Sequence, residues 1–401
     1  MPSRRKRILF VAEAITLAQM VRLASLSQAL DRDRYEVHFA SSQFPEFVFE
    51  HLDVARWPLW GLSSKEALGR IAKGKRLYSR SVLRRYIESD RTAIDAVKPD
   101  LIVGDLRWSL AVSAPVSKVP FASLINAYWS PFAERTGFPL PEHPIVRILG
   151  VRMAAQYFPR VIPKVFAHFA APLNDERERA GLAPIGSLLD VLTFGDHTLY
   201  ADPPELVPTQ NLPPNHIFLG PVLWTAPGLV PHDWGHDPNR PAIYVTLGSS
   251  GADGTLPEVL AGLEQLNVDV LLATAGKEPP RKLPDNVKVA AYVDGAAACL
   301  KARVVIHNGG SSTGYQALAA GRPVLGVPAN FDQYLATERI DAMGAGLMLR
   351  SGTLRRNDVA AAVNRLLQEP SFGDAAQRLR NVFASHDSGK RFSRFVDDVV
   401  S

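Results

Sequence analysis

One cysteine, Cys299, stands in the 401 residues. A lone thiol excludes an internal disulfide and any cysteine-based metal cluster, and it fits a reducing compartment. Long apolar runs are also missing: no window approaches the ~18 uncharged apolar residues of a membrane span. The opening MPSRRKRILFVAEAI places charge before an apolar run that Glu13 ends, too short for a signal peptide. A buried first strand and a cytoplasmic protein are expected. The sequence has no low-complexity tract and no short-period repeat. What remains, 46% apolar and 21% charged residues, is the composition of a soluble globular enzyme. At roughly 150 residues per domain the length suggests two or three domains.

The net charge is only +5, and all of it lies in residues 1–215. The excess concentrates in Lys65–Arg85, where Lys65, Arg70, Lys73, Lys75, Arg76, Arg80, Arg84 and Arg85 accompany a single acid, Glu66. Such a stretch is a solvated helix face, or it meets an anionic membrane surface or an acidic substrate. Nucleic acid is not expected as a partner, because no recognition motif or interleaved aromatic pattern accompanies it.

Short apolar runs alternate with amphipathic stretches. ILFVA (8–12), YEVHFASS (35–42), LIVGD (101–105) and FASLIN (121–126) read as strands, and 17–30 as a helix. Residues 203–240 are crowded with Pro, Gly, Asn and Asp. The strand pattern then restarts at AIYVTLGSSG (242–251) and continues through runs beginning at 268, 286, 303, 323 and 346. Strands separated by helices predict parallel βαβ units and doubly wound α/β sheets, with ligands at the carboxyl ends of the strands.

One segment carries chemistry: HNGGSSTGYQALAAGRPVLGVPANFDQ, residues 307–333. A buried strand ends at His307, Asn308-Gly309-Gly310 turns the chain, and Ser311, Ser312 and Thr313 open a helix. Unpaired amides at a helix start, the dipole behind them, hydroxyls and an adjacent imidazole make an anion site. The glycines admit close backbone approach. The segment is neither a G-x-G-x-x-G loop nor a P-loop with its lysine. A diphosphate held without a required metal is the natural ligand.

This segment resembles the donor signature of the family 1 glycosyltransferases, the UDP-glycosyltransferase superfamily, through His307, Gly309, Gly310, Ser312, Thr313, Gln316, Gly321, Pro323, Asp332 and Gln333. LYADPPEL (199–206), FLGPV (218–222), YVTLGSSG (244–251) and residues 286–310 extend the resemblance along the chain. It is similar to the bacterial enzymes that glycosylate macrolides and other natural products. The resemblance implies the GT-B fold, two doubly wound Rossmann-like domains facing a cleft. Residues 1–215 would bind the acceptor, 216–240 would link the domains, and 241–385 would bind the nucleotide sugar. The helix at 386–401 would pack back on the N-terminal domain. Ser249, His307, Gly310, Ser312 and Thr313 would hold the diphosphate. Tyr292 would stack on the base, Val293 would bond its edge, and Gln316 would face the ribose. Asp332 and Gln333 would bond the sugar hydroxyls, which favours a UDP-linked hexose with several free hydroxyls, such as glucose, over a heavily deoxygenated sugar. No cofactor or metal is implied beyond this co-substrate. Asp294-Gly295 departs from the usual Pro-Gln, and Gln316 from the usual Glu.

Inverting transfer needs a group to take the acceptor's proton. The family usually supplies a His at the start of the first helix, oriented by an Asp that ends a later strand. Asp105 fills the second place. The His position is Gln19, and an amide is no base at neutral pH. Three explanations stand: an acidic acceptor such as a phenol, enol or carboxylic acid; another base, Asp105 or Glu13; or replacement of a His, natural or introduced. The first makes the chain a hexosyltransferase acting on a hydrophobic small molecule, with Trp108, Tyr128, Trp129, Phe132, Phe138 and Phe158 as pocket candidates. The last makes it a donor-binding pseudoenzyme, accessory protein or inactive variant. An epimerase or hydrolase of the same fold is a third reading.

Overall fold

The computed structural model describes residues 4–248 and 254–400. The chain forms two compact units. One contains residues up to Thr136, Arg152–Val222 and His386 onward; the other contains Gly137–Val151 and Leu223–Ser385.

The first unit is built on a seven-stranded sheet. In chain order it runs β1 (Lys6–Ala12), α1 (Leu17–Gln28), β2 (Tyr35–Ser41), α2 (Glu46–Phe49), β3 (Ala55–Pro58), α3 (Ser64–Ala72), α4 (Arg80–Val97), β4 (Leu101–Asp105), α5 (Leu110–Ser117) and β5 (Phe121–Ile125). The helix α6 (Pro144–Arg179) breaks at Gly150, and α7 (Leu188–Leu192), β6 (His197–Tyr200) and β7 (His216–Phe218) follow. The strand order is β3-β2-β1-β4-β5-β6-β7, with every pair parallel. Ile8, Leu9, Phe10, Leu101, Ile102 and Val103 are wholly buried, as central parallel strands covered on both faces must be.

The second unit has six parallel strands, ordered β10-β9-β8-β11-β12-β13. Its elements are β8 (Ala242–Thr246), α8 (Leu256–Leu263), β9 (Asp269–Ala273), β10 (Val287–Ala290), α9 (Gly295–Lys301), β11 (Val304–His307), α10 (Ser311–Ala319), β12 (Val324–Gly326), α11 (Phe331–Ala342), β13 (Gly346–Met348), α12 (Arg356–Gln368) and α13 (Pro370–Ala384). Val245, Val259, Val304, Ile306 and Val363 anchor its core. Cys299 is buried there as a packing residue.

The last helix, α14 (Ser388–Val400), belongs to the first unit. It buries Phe392 and Phe395, whose rings meet Phe10 at 5.8 Å and His197 at 5.1 Å. Arg34 and the Tyr35 hydroxyl hold its Asp397.

The boundaries expected from the sequence shift in two places. Residues 216–218, assigned to a linker, form the edge strand β7, and 223–240 are built into the second unit. Trp234 is wholly buried there, and its indole donates to the Asp269 carbonyl at 3.0 Å. Residues 137–151, assigned to the first domain, also belong to the second unit. Glu142 accepts from the Tyr334 hydroxyl at 2.6 Å and from Arg350 at 2.9 Å, so two polar anchors outweigh sequence position. Among the described residues no helix is long and apolar enough to cross a membrane.

Candidate active site

Each sheet has one place where its strand order reverses, and ligands of open α/β sheets bind beyond the carboxyl ends of the strands there. In the first sheet this is between β1 and β4, where Ala12 pairs with Asp105. In the second it lies between β8 and β11, where Thr246 pairs with His307. Gln19 and Asp105 lie at the first of these points and the 307–313 segment at the second.

At the first switch point, Gln19 and Asp105 do not form the expected dyad. Thr16 caps α1, and the Gln19 carbonyl oxygen turns back to accept from the Thr16 backbone N–H (3.1 Å) and hydroxyl (2.7 Å). Gln19 thus completes a capping box, which needs a Glu or Gln at this position. Asp105 is wholly buried, and both its oxygens accept from Arg22, from Nε at 2.9 Å and Nη2 at 2.7 Å. The third arm of Arg22 donates to Asn126 at 2.5 Å, and the Asn126 amide donates to Asp202 at 3.0 Å. Arg22, Asn126 and Asp202 were missed in the sequence. The readable signal was a polar residue at or just beyond strand ends, in FASLIN and LYAD.

Glu13, the other candidate base, is enclosed. Its carboxylate accepts from the Tyr78 and Tyr86 hydroxyls, each at 3.1 Å, with an Arg107 nitrogen at 3.5 Å. Burial raises its pKa, and Arg107 and the two hydroxyls pull it back. Arg107 is aimed inward by Leu106, a non-glycine residue at φ 55, and it also binds Asp90 at 2.8 Å. The buried ion network around Arg107 holds this left-handed backbone in place.

The aromatic candidates do not share one surface. Trp108 packs edge-on to Tyr78 in the core, Tyr128 is buried, and Phe132 stands edge-on to His216. Phe138 meets Phe331 in the second unit. Trp129 and Phe158 are half-buried.

At the second switch point the backbone makes the predicted turn. Gly309 adopts φ 84, and a Cβ there would lie 2.6 Å from the Thr337 hydroxyl. Gly310 caps α10, its N–H donating to Asn308 Oδ1 at 3.1 Å. Ser311, Ser312 and Thr313 form the first turn and are half-buried. His307 is wholly buried, and burial pushes its pKa down to about 4, so it is neutral at pH 7. Its Nδ1 accepts from the Gly309 N–H at 3.2 Å, which leaves the proton on Nε2. The imidazole therefore offers a neutral hydrogen-bond donor to an anion. Ser249 lies outside the described residues.

Tyr292 is 45% exposed, held at its hydroxyl beside Gly276, while Val293 is buried. The Asp294-Gly295 departure has a structural cause. Asp294 caps α9 by accepting from Ala297 at 3.1 Å, and a Cβ on Gly295 would fall 2.5 Å from Gln316 Oε1. The Gln316 amide donates to the Trp224 carbonyl. Gln333 repeats the Gln19 device: its carbonyl oxygen accepts from Ala329 at 2.8 Å and Asn330 at 3.3 Å, boxing the start of α11. Asp332 is half-buried in the same first turn.

Two doubly wound parallel sheets, the second carrying a glycine turn and hydroxyl-rich helix start at its switch point, define a GT-B glycosyltransferase. Residues 257–393 match the family model described as erythromycin biosynthesis protein CIII-like, C-terminal domain. A PGL/p-HBAD biosynthesis glycosyltransferase of Mycobacterium tuberculosis is 46% identical over 390 residues, 96% of this chain and 91% of that protein. A PGL/p-HBAD biosynthesis rhamnosyltransferase of Mycobacterium bovis is 44% identical over 400 residues, 99% and 88%. The calicheamicin glycosyltransferase CalG4 shares the fold with a TM-score of 0.72 at 19% identity, over 99% of this chain and 98% of that one. The chain belongs to the family 1 glycosyltransferases of natural-product type.

Two measurements check these assignments. Breaking a buried ion pair costs about 3–5 kcal/mol. Asp105→Leu and Arg22→Met should each lower unfolding free energy by about that much, and the double variant by less than the sum. Additive losses in urea unfolding would contradict the pairing. For His307, the unfolded chain takes up a proton near pH 6.5 and the folded one only near 4. Its contribution is complete above pH 6.5 and falls as pH drops, by about 2 kcal/mol at pH 5. His38 and His216, also lowered by burial, act in the same direction. The loss between pH 7 and 5 should therefore be about 2 kcal/mol smaller in His307→Asn.

Proposed function

We propose that the chain transfers a hexosyl unit, with inversion, from a nucleoside diphosphate sugar to an acidic hydroxyl, such as a phenol, on a hydrophobic acceptor. The observation that carries this is the start of α10 at the β8/β11 switch point. There a glycine turn presents backbone amides and hydroxyls along the helix dipole, the arrangement suited to a diphosphate leaving group. The neutral His307 adds a donor, and the half-exposed Tyr292 ring offers a face for the base. This reading invokes no cofactor or metal beyond the donor.

The acceptor oxygen attacks the anomeric carbon as its bond to the diphosphate breaks, and the acceptor's proton must leave. With an amide at position 19, that step is easiest for a hydroxyl that ionises readily. A phenol, with a pKa of about 10, meets this requirement. Asp105, wholly buried with both oxygens bound by Arg22, is not free to take that proton, which passes to solvent.

UDP-glucose is the first donor reading, on Asp332 and Gln333. A second reading is a 6-deoxyhexose such as rhamnose. It is favoured by the name of the Mycobacterium bovis relative and by Gln333, whose carbonyl oxygen is committed to the α11 cap. A panel of UDP-glucose and a thymidine-linked rhamnose donor, each with a phenol and a matched aliphatic alcohol, separates these. Glycoside should form on the phenol at least about a hundredfold faster than on the alcohol. Preference for the rhamnose donor selects the second reading, and no glycoside from any pairing overturns both.

A further inference from the structure

The basic run Lys65–Arg85 divides into two halves. Its second half is partnered: Arg80 binds Asp175 at 2.5 Å, Arg84 binds Glu176 at 2.9 Å, and Arg85 lies over the Trp60 ring at 3.8 Å. The first half is not. Lys65, Arg70, Lys73, Lys75 and Arg76 line a concavity of about 920 Å³ on the first unit, together with His168 from α6. Glu66 answers Arg70 at 2.8 Å, but among the described residues no carboxylate pairs with Lys65, Lys73 or Lys75. Arg76 contacts His168 at 2.8 Å, tying this loop to α6.

The same helix carries an exposed apolar stripe. Met153 is 51% exposed, Tyr157 52% and Val161 49%, at successive spacings of four. At the 100° per residue of an ideal helix, these three, with the exposed Lys164 and His168, fall within about 80° of one another. An apolar stripe therefore runs along α6 toward His168 and the cationic concavity. Isolated exposed apolar residues need no explanation, but a stripe continuous with unpaired lysines is amphipathic in the sense of an interfacial element.

The geometry points to a docking surface for an anionic lipid bilayer: the lysines of the concavity meet acidic headgroups while Met153, Tyr157 and Val161 enter the headgroup boundary. Charge complementarity selects this occupant. The lysines suit a dense anionic plane, and a bare apolar side chain beside them suits acyl chains but not a nucleic acid backbone. The surface would hold the enzyme where a hydrophobic acceptor accumulates. It does not depend on which sugar is transferred.

The test is sedimentation of the full chain with vesicles of phosphatidylcholine alone and of phosphatidylcholine with one third phosphatidylglycerol. It is run at about 0.1 M and about 1 M salt, where the screening length falls from about 10 to about 3 Å. Binding is expected to the anionic vesicles and to weaken at high salt. Each lysine near such a surface is worth about fivefold in partition, so Lys65→Gln/Lys73→Gln/Lys75→Gln should lower it about a hundredfold. Met153→Ser/Tyr157→Ser/Val161→Ser should lower it at least about tenfold. All these side chains are exposed, and melting curves check that the variants fold. Equal partition into both vesicles by the unaltered chain overturns the proposal without any variant. So does an unchanged partition in either triple variant, or displacement from vesicles by single-stranded RNA with the apolar variant behaving as the parent.

Discussion

Buried charge at the carboxyl ends of β1 and β4 constrains the whole first unit. Glu13 and Asp105 end or follow neighbouring strands, joined by a 3.1 Å hydrogen bond from the Glu13 N–H to the Asp105 carbonyl. Neither carboxylate is exposed, and each is met by its own guanidinium, Arg107 and Arg22. Removing an ion from water is costly unless partners replace the solvent. The loops after both strands are arranged around that requirement. Leu106 takes a left-handed backbone to turn Arg107 inward, and α1 is placed so that Arg22 reaches Asp105. Asp105 is engaged in an ion pair with Arg22, and residue 19 in a capping box with Thr16.

The capping boxes give a second unifying feature. Gln19 and Gln333 sit at equivalent places in α1 and α11, one at the first switch point and one beside the glycine turn of the second. Both spend their carbonyl oxygens on orphan amides at the helix start. Gln316 likewise braces the fold through Trp224. An amide has a donor half and an acceptor half, so fixing one orients the other. These side chains therefore serve first as positioning elements. The completed Thr16–Gln19 box also gives residue 19 a structural reason to be glutamine.

Much of this was legible in the sequence. The strands of both sheets that consist of apolar runs, such as LIVGD and RVVIH, were readable because parallel strands buried on both faces leave that pattern. The short strands β3, β6 and β7, at or next to the sheet edges, were not, since ARWP, HTLY and HIF lack it. The turn at Asn308-Gly309-Gly310 was readable from glycine chemistry. The charge state of His307 was not, because it depends on burial. The partner of Asp105 was hidden for a related reason. Arg22 lies on α1 among helix-period residues, and only the packing of α1 against β4 shows that it points inward. Residues 137–151 were misplaced because their membership is decided by Glu142 contacting residues about two hundred positions away.

The central claim is that Asp105 is committed to Arg22, so the proposed transfer runs without an imidazole base. The most direct test is kcat of Gln19→His with the best donor and a phenolic acceptor. The account predicts turnover within about threefold of the parent, because the new imidazole would find no available carboxylate to orient it. A rise of about a hundredfold or more, the scale of general-base catalysis, would contradict it.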